Sequence, residues 1–366
     1  MRRLMLLAAL LLGLALVTGC GSSGDDSSSG GGDETSGAEG GLTLDVGLDE
    51  PLSFDTNKPK VAFFDQGTSN VYALSYAKGV AEAAEKRGLD VTRFDPQLDA
   101  TTQLTQVQNA LQQGGFDAYL IVTLDGNTMC PVLTQQAPQA NVAVVTGLTP
   151  ICDRGLKPEG DEQWSPGTLA HVQNDSTYTE DEAWVDAICK RLEDDGKTHT
   201  VAVLNGPSII TVAKAIKKST FEHGAETCPH MDFKYEVETD FSTPTSLAKT
   251  QTLLQAHPDV DTILSMYTDI TVGALRAIKA AGRDGEIRVF DIGGGKQSVE
   301  AIENGELEMS TAHTPYDNGV AGIDAIADAF EGKEIPRYIG VYPEGATMGN
   351  PLVLDKNNAG EWEPQF

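Results

Sequence analysis

Short apolar runs alternate with longer amphipathic segments along most of the chain, and this rhythm constrains the fold more than any other sequence feature. Residues 61–64 (VAFF) are apolar at every position, and helical periodicity follows over residues 71–87. Continuous apolar runs between helices are typical of parallel strands that helices cover on both faces. The predicted strands are residues 61–64, 91–94, 119–122, 142–145, 201–204, 233–237, 262–267 and 287–292, and the predicted helices are residues 71–87, 101–113, 129–136, 179–192, 209–223, 246–256, 270–281 and 297–303. The fold class is therefore α/β.

A long polar connection, residues 148–170, divides this rhythm into two successive arrays of strands and helices. The folded part of the chain is long enough for two domains of common size. Two successive arrays of this kind predict two doubly wound, Rossmann-like lobes.

The first 19 residues have the layout of a cleaved export signal. Arg2 and Arg3 are positively charged, residues 4–17 contain only Leu, Met, Ala, Gly and Val, and Thr18 and Gly19 precede Cys20. The apolar run is shorter than the ~20 residues that a membrane-spanning helix needs. The run LVTGC resembles a bacterial lipobox. That resemblance implies a diacylglycerol on the Cys20 thiol and acyl chains such as palmitate that anchor the exported protein to the cell membrane. The alternative is an ordinary secretory signal with an accidental cysteine.

The segment after Cys20 has a composition that cannot form a core. Residues 21–41 are almost entirely Gly, Ser, Asp, Glu and Thr, which is typical of a flexible spacer. We expect the lipidated cysteine and its linker to occupy residues 20–57, with ordered structure beginning near Lys58.

Charge and missing motifs exclude several classes of function. The formal net charge is −28, so nucleic acid is not an expected partner, because phosphate binding needs a basic surface. The sequence has no G-x-S-x-G, H-E-x-x-H or C-x-x-C motif, and the six histidines lack metal-ligand spacing. The glycine run 293–295 lacks the spacing of a phosphate loop and predicts a tight turn. We therefore expect neither an enzyme nor a cofactor or metal site.

Four cysteines remain when Cys20 is set aside. An even number outside the cytoplasm indicates disulfides, and sequence alone allows three connectivities. Pairing by proximity gives Cys130–Cys152 and Cys189–Cys228, one bridge in each half of the chain.

Polar and aromatic residues follow many of the predicted strands. Open parallel sheets bind ligands in the crevice beyond the carboxyl ends of their strands. Aromatic faces beside amides and carboxylates suit a polyhydroxylated ligand, because rings cover C–H faces while polar groups pair with hydroxyls. The residues in such positions are Asp65, Gln66, Asn70, Tyr72, Asp125, Asn127, Asn174, Asp175, Asn205, Asp240, Phe241, Tyr267, Asp269 and Asp291.

Two stretches of the chain resemble the type I periplasmic solute-binding proteins of ABC importers, in the ribose/galactose branch. They are residues 239–282, which include AHPDV and GALRAIKAAG, and the opening βαβ unit from residue 60. The resemblance implies two lobes joined by a three-strand hinge, with crossings near Gln173, His313 and Tyr338 and a ligand enclosed between the lobes. The implied lobes are residues 58–173 with 314–337, and residues 174–313 with 338–366.

The resemblance also implies a pocket. Asn70, Tyr72 and Phe241 match an amide and two stacking rings, and Lys214 stands where an arginine contacts sugar hydroxyls. Leu148 and Thr149 stand where the family has an Asp-Arg pair, so the usual hydroxyl clamp is lost. The predicted ligand-binding residues are Asn70, Tyr72, Lys214, Phe241, Tyr267, Asp291 and His313, with Tyr316 and Trp164 as weaker candidates.

The function that the resemblance implies is the extracytoplasmic substrate-binding component of an ABC importer. This protein would act as a monomer, capture a sugar, polyol or modified sugar, and deliver it to a permease. Two alternatives share the fold: a sensor that feeds a chemoreceptor or two-component kinase, and an importer component for a ligand that is not a carbohydrate.

Overall fold

The computed structural model describes residues 41–68, 70–154, 160–173 and 178–366. The predicted signal sequence, Cys20 and residues 21–40 of the linker lie outside the described residues, as do Asn174 and Asp175. Within the described ranges, no helix is both long enough and apolar enough to span a bilayer.

The strands alternate with helices in the order that the apolar runs predict. The strands are β1 Leu42–Leu44, β2 Leu52–Phe54, β3 Lys60–Phe64, β4 Asp90–Phe94, β5 Ala118–Ile121, β6 Ala143–Gly147, β7 Ala170–Gln173, β8 His199–Asn205, β9 Met231–Glu238, β10 Thr262–Ser265, β11 Arg288–Gly293, β12 Met309–Ala312, β13 Tyr338–Gly340 and β14 Val353–Leu354. The helices are α1 Val71–Arg87, α2 Ala100–Gln113, α3 Gly126–Pro131, α4 Ala137–Gln139, α5 Tyr178–Leu192, α6 Thr211–Lys218, α7 Gly224–Thr227, α8 Thr243–Ala256, α9 Thr268–Ala280, α10 Lys296–Glu303 and α11 Pro315–Phe330. A π-helical turn, Val132–Gln136, joins α3 to α4, and another, Ser219–His223, joins α6 to α7.

Two six-stranded sheets form the cores of two lobes. The first sheet has the order β13-β7-β6-β5-β3-β4, and its pairs are all parallel. The second has the order β14-β12-β11-β10-β8-β9 and is parallel except for the antiparallel edge strand β14. The order of each sheet reverses at its first strand, β3 or β8, which is the doubly wound pattern. The predicted α/β class with two parallel-sheet lobes is confirmed.

Ordered structure begins earlier than predicted. Strands β1 and β2 form an antiparallel hairpin within the stretch that we expected to be linker. Leu44, Val46, Leu52 and Phe54 of this hairpin are buried in the first lobe, and the Phe54 ring lies 4.6 Å from that of Phe330. The prediction that residues 20–57 are all linker is therefore wrong from residue 41 onward. The prediction extended the linker beyond the Gly/Ser-rich residues 21–41. It missed the alternation in the hairpin, where buried apolar side chains recur at every second residue.

The boundary expected near Tyr338 is also displaced. Strand β13 pairs with β7, so residues 338–340 belong to the first sheet and not to the second lobe. The chain returns to the second sheet only at β14, which pairs with β12. A parallel partner at the open edge of β7 satisfies backbone groups that an exposed edge would leave unpaired.

Both lobes contain a disulfide. Cys130 in α3 bonds to Cys152 in the loop after β6, with Cα atoms 5.0 Å apart. Cys189 in α5 bonds to Cys228 after α7, with Cα atoms 5.6 Å apart. These are the pairs given by sequence proximity, and loops of this size contribute roughly 3 kcal/mol each in the chain-entropy description.

Helices α1 and α11 pack closely because glycines face each other at their contact. A Cβ added at Gly79 of α1 would overlap the Tyr316 carbonyl oxygen, and one added at Gly319 of α11 would overlap the Tyr76 carbonyl oxygen. The helix that carries Tyr72 is therefore held against the first lobe by direct backbone contact.

Candidate ligand-binding site

The carboxyl ends of the strands of both sheets face a cleft between the lobes. A cavity of about 50 Å³ lies there. One water needs roughly 10–15 Å³ on the same scale, so the cavity has room for several waters. Its lining residues come from both lobes: Gln66, Asn70, Tyr72, Leu148, Val212, Ile216, Phe241, Met266, Tyr267, Ile292 and His313.

Three aromatic rings, those of Tyr72, Phe241 and Tyr267, line the cavity together with aliphatic side chains. The Tyr72 and Tyr267 ring centroids are 5.8 Å apart with planes at 65°. Phe241 meets Tyr267 edge to face at 6.0 Å and 86°. The imidazole of His313 lies 6.4 Å from Tyr72 at 79°. Tyr72 comes from the first lobe and Tyr267 and Phe241 from the second, so both lobes contribute rings to one cage.

Asn70 has two roles at the rim. Its side-chain oxygen accepts a hydrogen bond from Ala73 N at 2.8 Å, which caps the start of α1. The same oxygen accepts a bond from the Tyr267 hydroxyl at 3.4 Å. The residue that fixes the start of α1 therefore also contacts the second lobe.

Backbone contacts join the lobes on both sides of this cavity. Val71 N donates to the Asp269 carboxylate at 3.2 Å. On the other side, Thr211 N donates to the Leu124 carbonyl at 2.9 Å, and its hydroxyl accepts from Gly126 N at 3.1 Å. The lobes are thus in contact around the cavity, as in the closed form of a hinged binding protein.

Phe241 is held in an unusual backbone conformation. Its φ is +60°, in the left-handed region that side chains with a Cβ seldom adopt. Phe241 N donates to the Thr239 hydroxyl at 3.2 Å, which helps to hold this turn after β9. Its ring lies against Gly206, where an added Cβ would overlap the ring atoms. The positive φ of Phe241 and the absence of a side chain at Gly206 together allow this ring to point into the cavity.

His313 and Tyr267, which both line the cavity, are uncharged at neutral pH. Burial lowers the pKa of His313 to about 4, so its imidazole is neutral. Burial, with the nearby Tyr72 and Asp269, raises the pKa of Tyr267 well above its usual value. The other polar lining residues in the described part of the chain are the amides Gln66 and Asn70 and the phenol Tyr72. Such a lining suits a neutral ligand, because a buried charge without a partner is costly.

Five predicted residues come together here: Asn70, Tyr72, Phe241, Tyr267 and His313. Lys214 does not join them, because its exposed side chain lies on the other face of α6. Residues four apart share a face of a helix, and α6 directs Val212 and Ile216 to the cavity. The prediction for Lys214 is therefore not supported by its position.

Asp291 also lies away from the cavity. Successive side chains of a strand point to opposite faces, and β11 directs Ile292 into the cavity. The Asp291 carboxylate is fully buried on the other face, where the Ser298 hydroxyl donates to it at 2.6 Å. The end of β11 does lie at the cavity, but the side chain that lines it is that of Ile292 and not that of Asp291.

The buried Asp291 carboxyl predicts a pH effect on stability. Burial raises its pKa to about 6, above the unfolded value, so it stabilises the fold below the unfolded pKa and this contribution is lost as pH rises through about 6. Asp291→Asn should therefore reduce the loss in the free energy of unfolding between pH 4.5 and 7.5 by about 2 kcal/mol. Urea unfolding of both proteins at both pH values measures the difference. The parent protein is the control, because it has the same other titrating groups as the variant. Equal pH dependence in the two proteins would contradict the prediction.

Neither weaker candidate lines the cavity. The Tyr316 hydroxyl donates to Glu82 at 2.6 Å on the outer side of α1. Trp164 packs under the Arg337 guanidinium, 4.6 Å from its ring, beside the hairpin. Both aromatic side chains contact residues of the first lobe and not the cavity.

Sequence reasoning passed over several lining residues. Val212, Ile216, Met266 and Ile292 are apolar and indistinguishable in sequence from core residues. In the sequence, Leu148 is only a departure from the expected clamp, yet it lines the cavity, at a turn where its φ is +58°. Gln66 was recognisable as a polar residue after β3. One sequence signal was available for α6. Val212 and Ile216 are apolar and four residues apart, which indicates that their face of the helix, and not the face of Lys214, points inward.

Two parallel-sheet lobes that enclose a ring-lined cavity define a hinged solute-binding protein. Residues 61–334 match the family model described as "Periplasmic binding protein domain". The chain belongs to this family, and the resemblance to type I periplasmic solute-binding proteins is confirmed.

Curated relatives of the chain are binding proteins and not enzymes. The chain is 30% identical over 275 residues to the ribose import binding protein RbsB of Bacillus subtilis, covering 74% of this chain and 81% of that protein. It is 24% identical to RbsB of Escherichia coli, covering 76% and 87%. Among solved structures, a galactofuranose binding protein matches with a TM-score of 0.71 at 21% identity, covering 82% and 96%. The Caulobacter myo-inositol binding protein matches with a TM-score of 0.70 at 18% identity, covering 82% and 95%.

Proposed function

We propose that this protein is the extracytoplasmic substrate-binding component of an ABC importer and captures an uncharged sugar or polyol. The observation that carries the proposal is the cavity between the lobes, which combines three rings with neutral amide and imidazole groups. Rings cover the C–H faces of such ligands, while Gln66, Asn70 and His313 are suited to pair with hydroxyls. The import roles named for the curated relatives support the same conclusion.

The cavity favours compact ligands with some apolar surface. The Asp-Arg clamp is absent, and Leu148 stands in its place on the cavity wall. A fully hydroxylated hexose would leave hydroxyls unpaired against apolar groups, at a cost of about 1–3 kcal/mol for each buried one. A furanose, deoxy sugar or small polyol loses less.

We further propose that residues 1–19 are a leader and that Cys20 carries lipid. Anchoring would keep a monomeric binding protein near its permease. The resemblance of LVTGC to a lipobox supports this proposal, and the acidic spacer supplies reach. Metabolic labelling with a palmitate analogue, compared between parent and Cys20→Ala, tests it directly. Equal label in both proteins would contradict lipidation at Cys20.

A ligand screen tests the binding function. Thermal shift with ribose, arabinose, fucose, xylitol and myo-inositol should reveal at least one ligand, because a ligand at 100 times its Kd adds about 2.7 kcal/mol of stability. Glutamate and lysine serve as charged controls. Stabilisation by a charged control alone would contradict the neutral-ligand proposal. No shift with any sugar or polyol at 10 mM, on the order of ten thousand times a micromolar Kd, would count against sugar binding.

Variants of the cavity wall then test the site with the strongest ligand. Tyr72→Ala and Phe241→Ala should each weaken binding by about tenfold or more in calorimetric titration, because each removes a stacking face. Lys214→Ala is the matched control on the nearby exposed face and should leave affinity unchanged. Loss of affinity only in the Lys214 variant would overturn the assignment.

A further inference from the structure

The segment of residues 362–366, here called the strap, contacts both lobes beside the cavity. On the second lobe, the Trp362 indole N–H donates to the Gly294 carbonyl at 2.8 Å. Lys296 N donates to the Phe366 carbonyl, also at 2.8 Å. These bonds fix both ends of the strap to the turn between β11 and α10.

On the first lobe, the strap bonds to α1 and α11 through one residue. The Ser75 hydroxyl donates to the Gln365 carbonyl at 2.7 Å. The Gln365 side-chain oxygen accepts from Tyr316 N at 3.0 Å, and its amide donates to Asp317 at 2.6 Å. Gln365 therefore ties the strap to the two first-lobe helices that begin near the cleft.

The Phe366 ring lies behind the rings of the cavity wall. It is parallel to Tyr267, with centroids 6.3 Å apart and planes at 6°, and meets Tyr72 edge to face at 5.7 Å. One side chain thus packs on a wall ring from each lobe. Because it is absent from the cavity lining, it acts through those rings and not on a ligand.

The glycine run after β11 makes room for this ring. A Cβ at Gly295 would lie 2.7 Å from the Phe366 ring, and one at Gly293 would lie 3.5 Å from it. Gly294 supplies the carbonyl that Trp362 binds. The run that looked like an incomplete phosphate loop therefore serves as the seat of the strap.

We propose that Phe366 is a positioning residue that orients Tyr72 and Tyr267 and, with Gln365, stabilises the closed arrangement of the lobes. The strap is then a link between the lobes in addition to the chain crossings. Its effect on ligand affinity rests on the proposed function, because only the closed fraction binds and the apparent Kd rises as that fraction falls. Its effect on closure does not depend on any ligand.

The test measures closure directly. Nitroxide labels on Leu74→Cys and Ile209→Cys, exposed residues beside the cleft on opposite lobes, report the distance between lobes by double electron–electron resonance. In ligand-free protein, Phe366→Ala should lower the closed-to-open ratio by roughly tenfold, since it removes two aromatic contacts. Phe366→Tyr keeps the ring and should restore the parent distribution, and Glu363→Ala is the control on the exposed face of the strap.

Each outcome is decisive. A distance distribution for Phe366→Ala equal to that of the parent would overturn the proposal, as would a parent protein without a short-distance population. A shift in Phe366→Ala that Phe366→Tyr reverses would support it, even if the sugar and polyol screen found no ligand. If ribose or another screened sugar binds, Phe366→Ala should weaken it several-fold while Glu363→Ala does not.

Discussion

Replacing Gly79 with alanine is expected to destabilise the protein by about 3 kcal/mol. At an exposed helix position, this change would stabilise by up to about 1 kcal/mol. Here the added Cβ would overlap the Tyr316 carbonyl oxygen, and a backbone atom cannot move without shifting α11. Overpacking of this kind costs about 1–3 kcal/mol, and the lost approach of α1 and α11 adds to it. Thermal and urea unfolding measure the difference, and Tm should fall by roughly 4–5 °C.

The control for Gly79→Ala is Ala81→Ser, which adds one heavy atom at an exposed position of the same helix. It should change stability by less than about 0.5 kcal/mol. Gly319→Ala should resemble Gly79→Ala, because its Cβ would overlap the Tyr76 carbonyl oxygen. Stabilisation by Gly79→Ala would show that the helices do not approach through these glycines.

Gly206→Ala is expected to weaken ligand binding by about 100-fold while the protein stays folded. The backbone at Gly206 is outside the left-handed region, so alanine fits the local conformation. The new Cβ would overlap the Phe241 ring, which must then leave its place in the cavity wall or fill the cavity. Either movement removes the stacking face or the space for a ligand. Titration with the strongest sugar or polyol from the screen measures the change.

A double-mutant cycle shows whether Gly206→Ala acts through the ring. With Phe241 already replaced by alanine, the added Cβ at position 206 has nothing to displace, so the double variant should bind no worse than Phe241→Ala. Ser208→Ala, at an exposed position of the same loop, should leave binding unchanged. Additive losses in the double variant would mean that Gly206 acts on the site by another route.

The fold was predictable because its signal is repeated many times along the chain. Runs such as residues 61–64 and 201–204 can satisfy their backbone and side chains together only in a covered parallel sheet. The hairpin of β1 and β2 has only two short strands, so composition outweighed its weak alternation. Strand β13 was assigned to the wrong lobe because an edge pairing depends on a partner, β7, that lies far away in sequence.

The site was predictable where chemistry and position coincide. Asn70, Tyr72, Phe241 and Tyr267 follow strands or begin a helix at the cleft, and their side chains are distinctive. Lys214 and Asp291 lie away from the cavity because one residue of helical or strand phase decides which face a side chain occupies. The role of Phe366 had no local signal, since it arises from contacts with Tyr72 and Tyr267, which lie far away in sequence.

The hairpin of β1 and β2 also determines which lobe the lipid anchor proposed at Cys20 would be attached to. Its contacts involve Asn141, Gly167 and Arg337, each of which precedes a strand of the first sheet, so it covers the pole opposite the cleft. If Cys20 carries lipid, residues 21–40 would connect that lipid to this end of the first lobe, over a distance of up to ~70 Å when fully extended. The proposed lipid would then be attached to the first lobe only, so closure of the second lobe on a solute would not require the anchor to move.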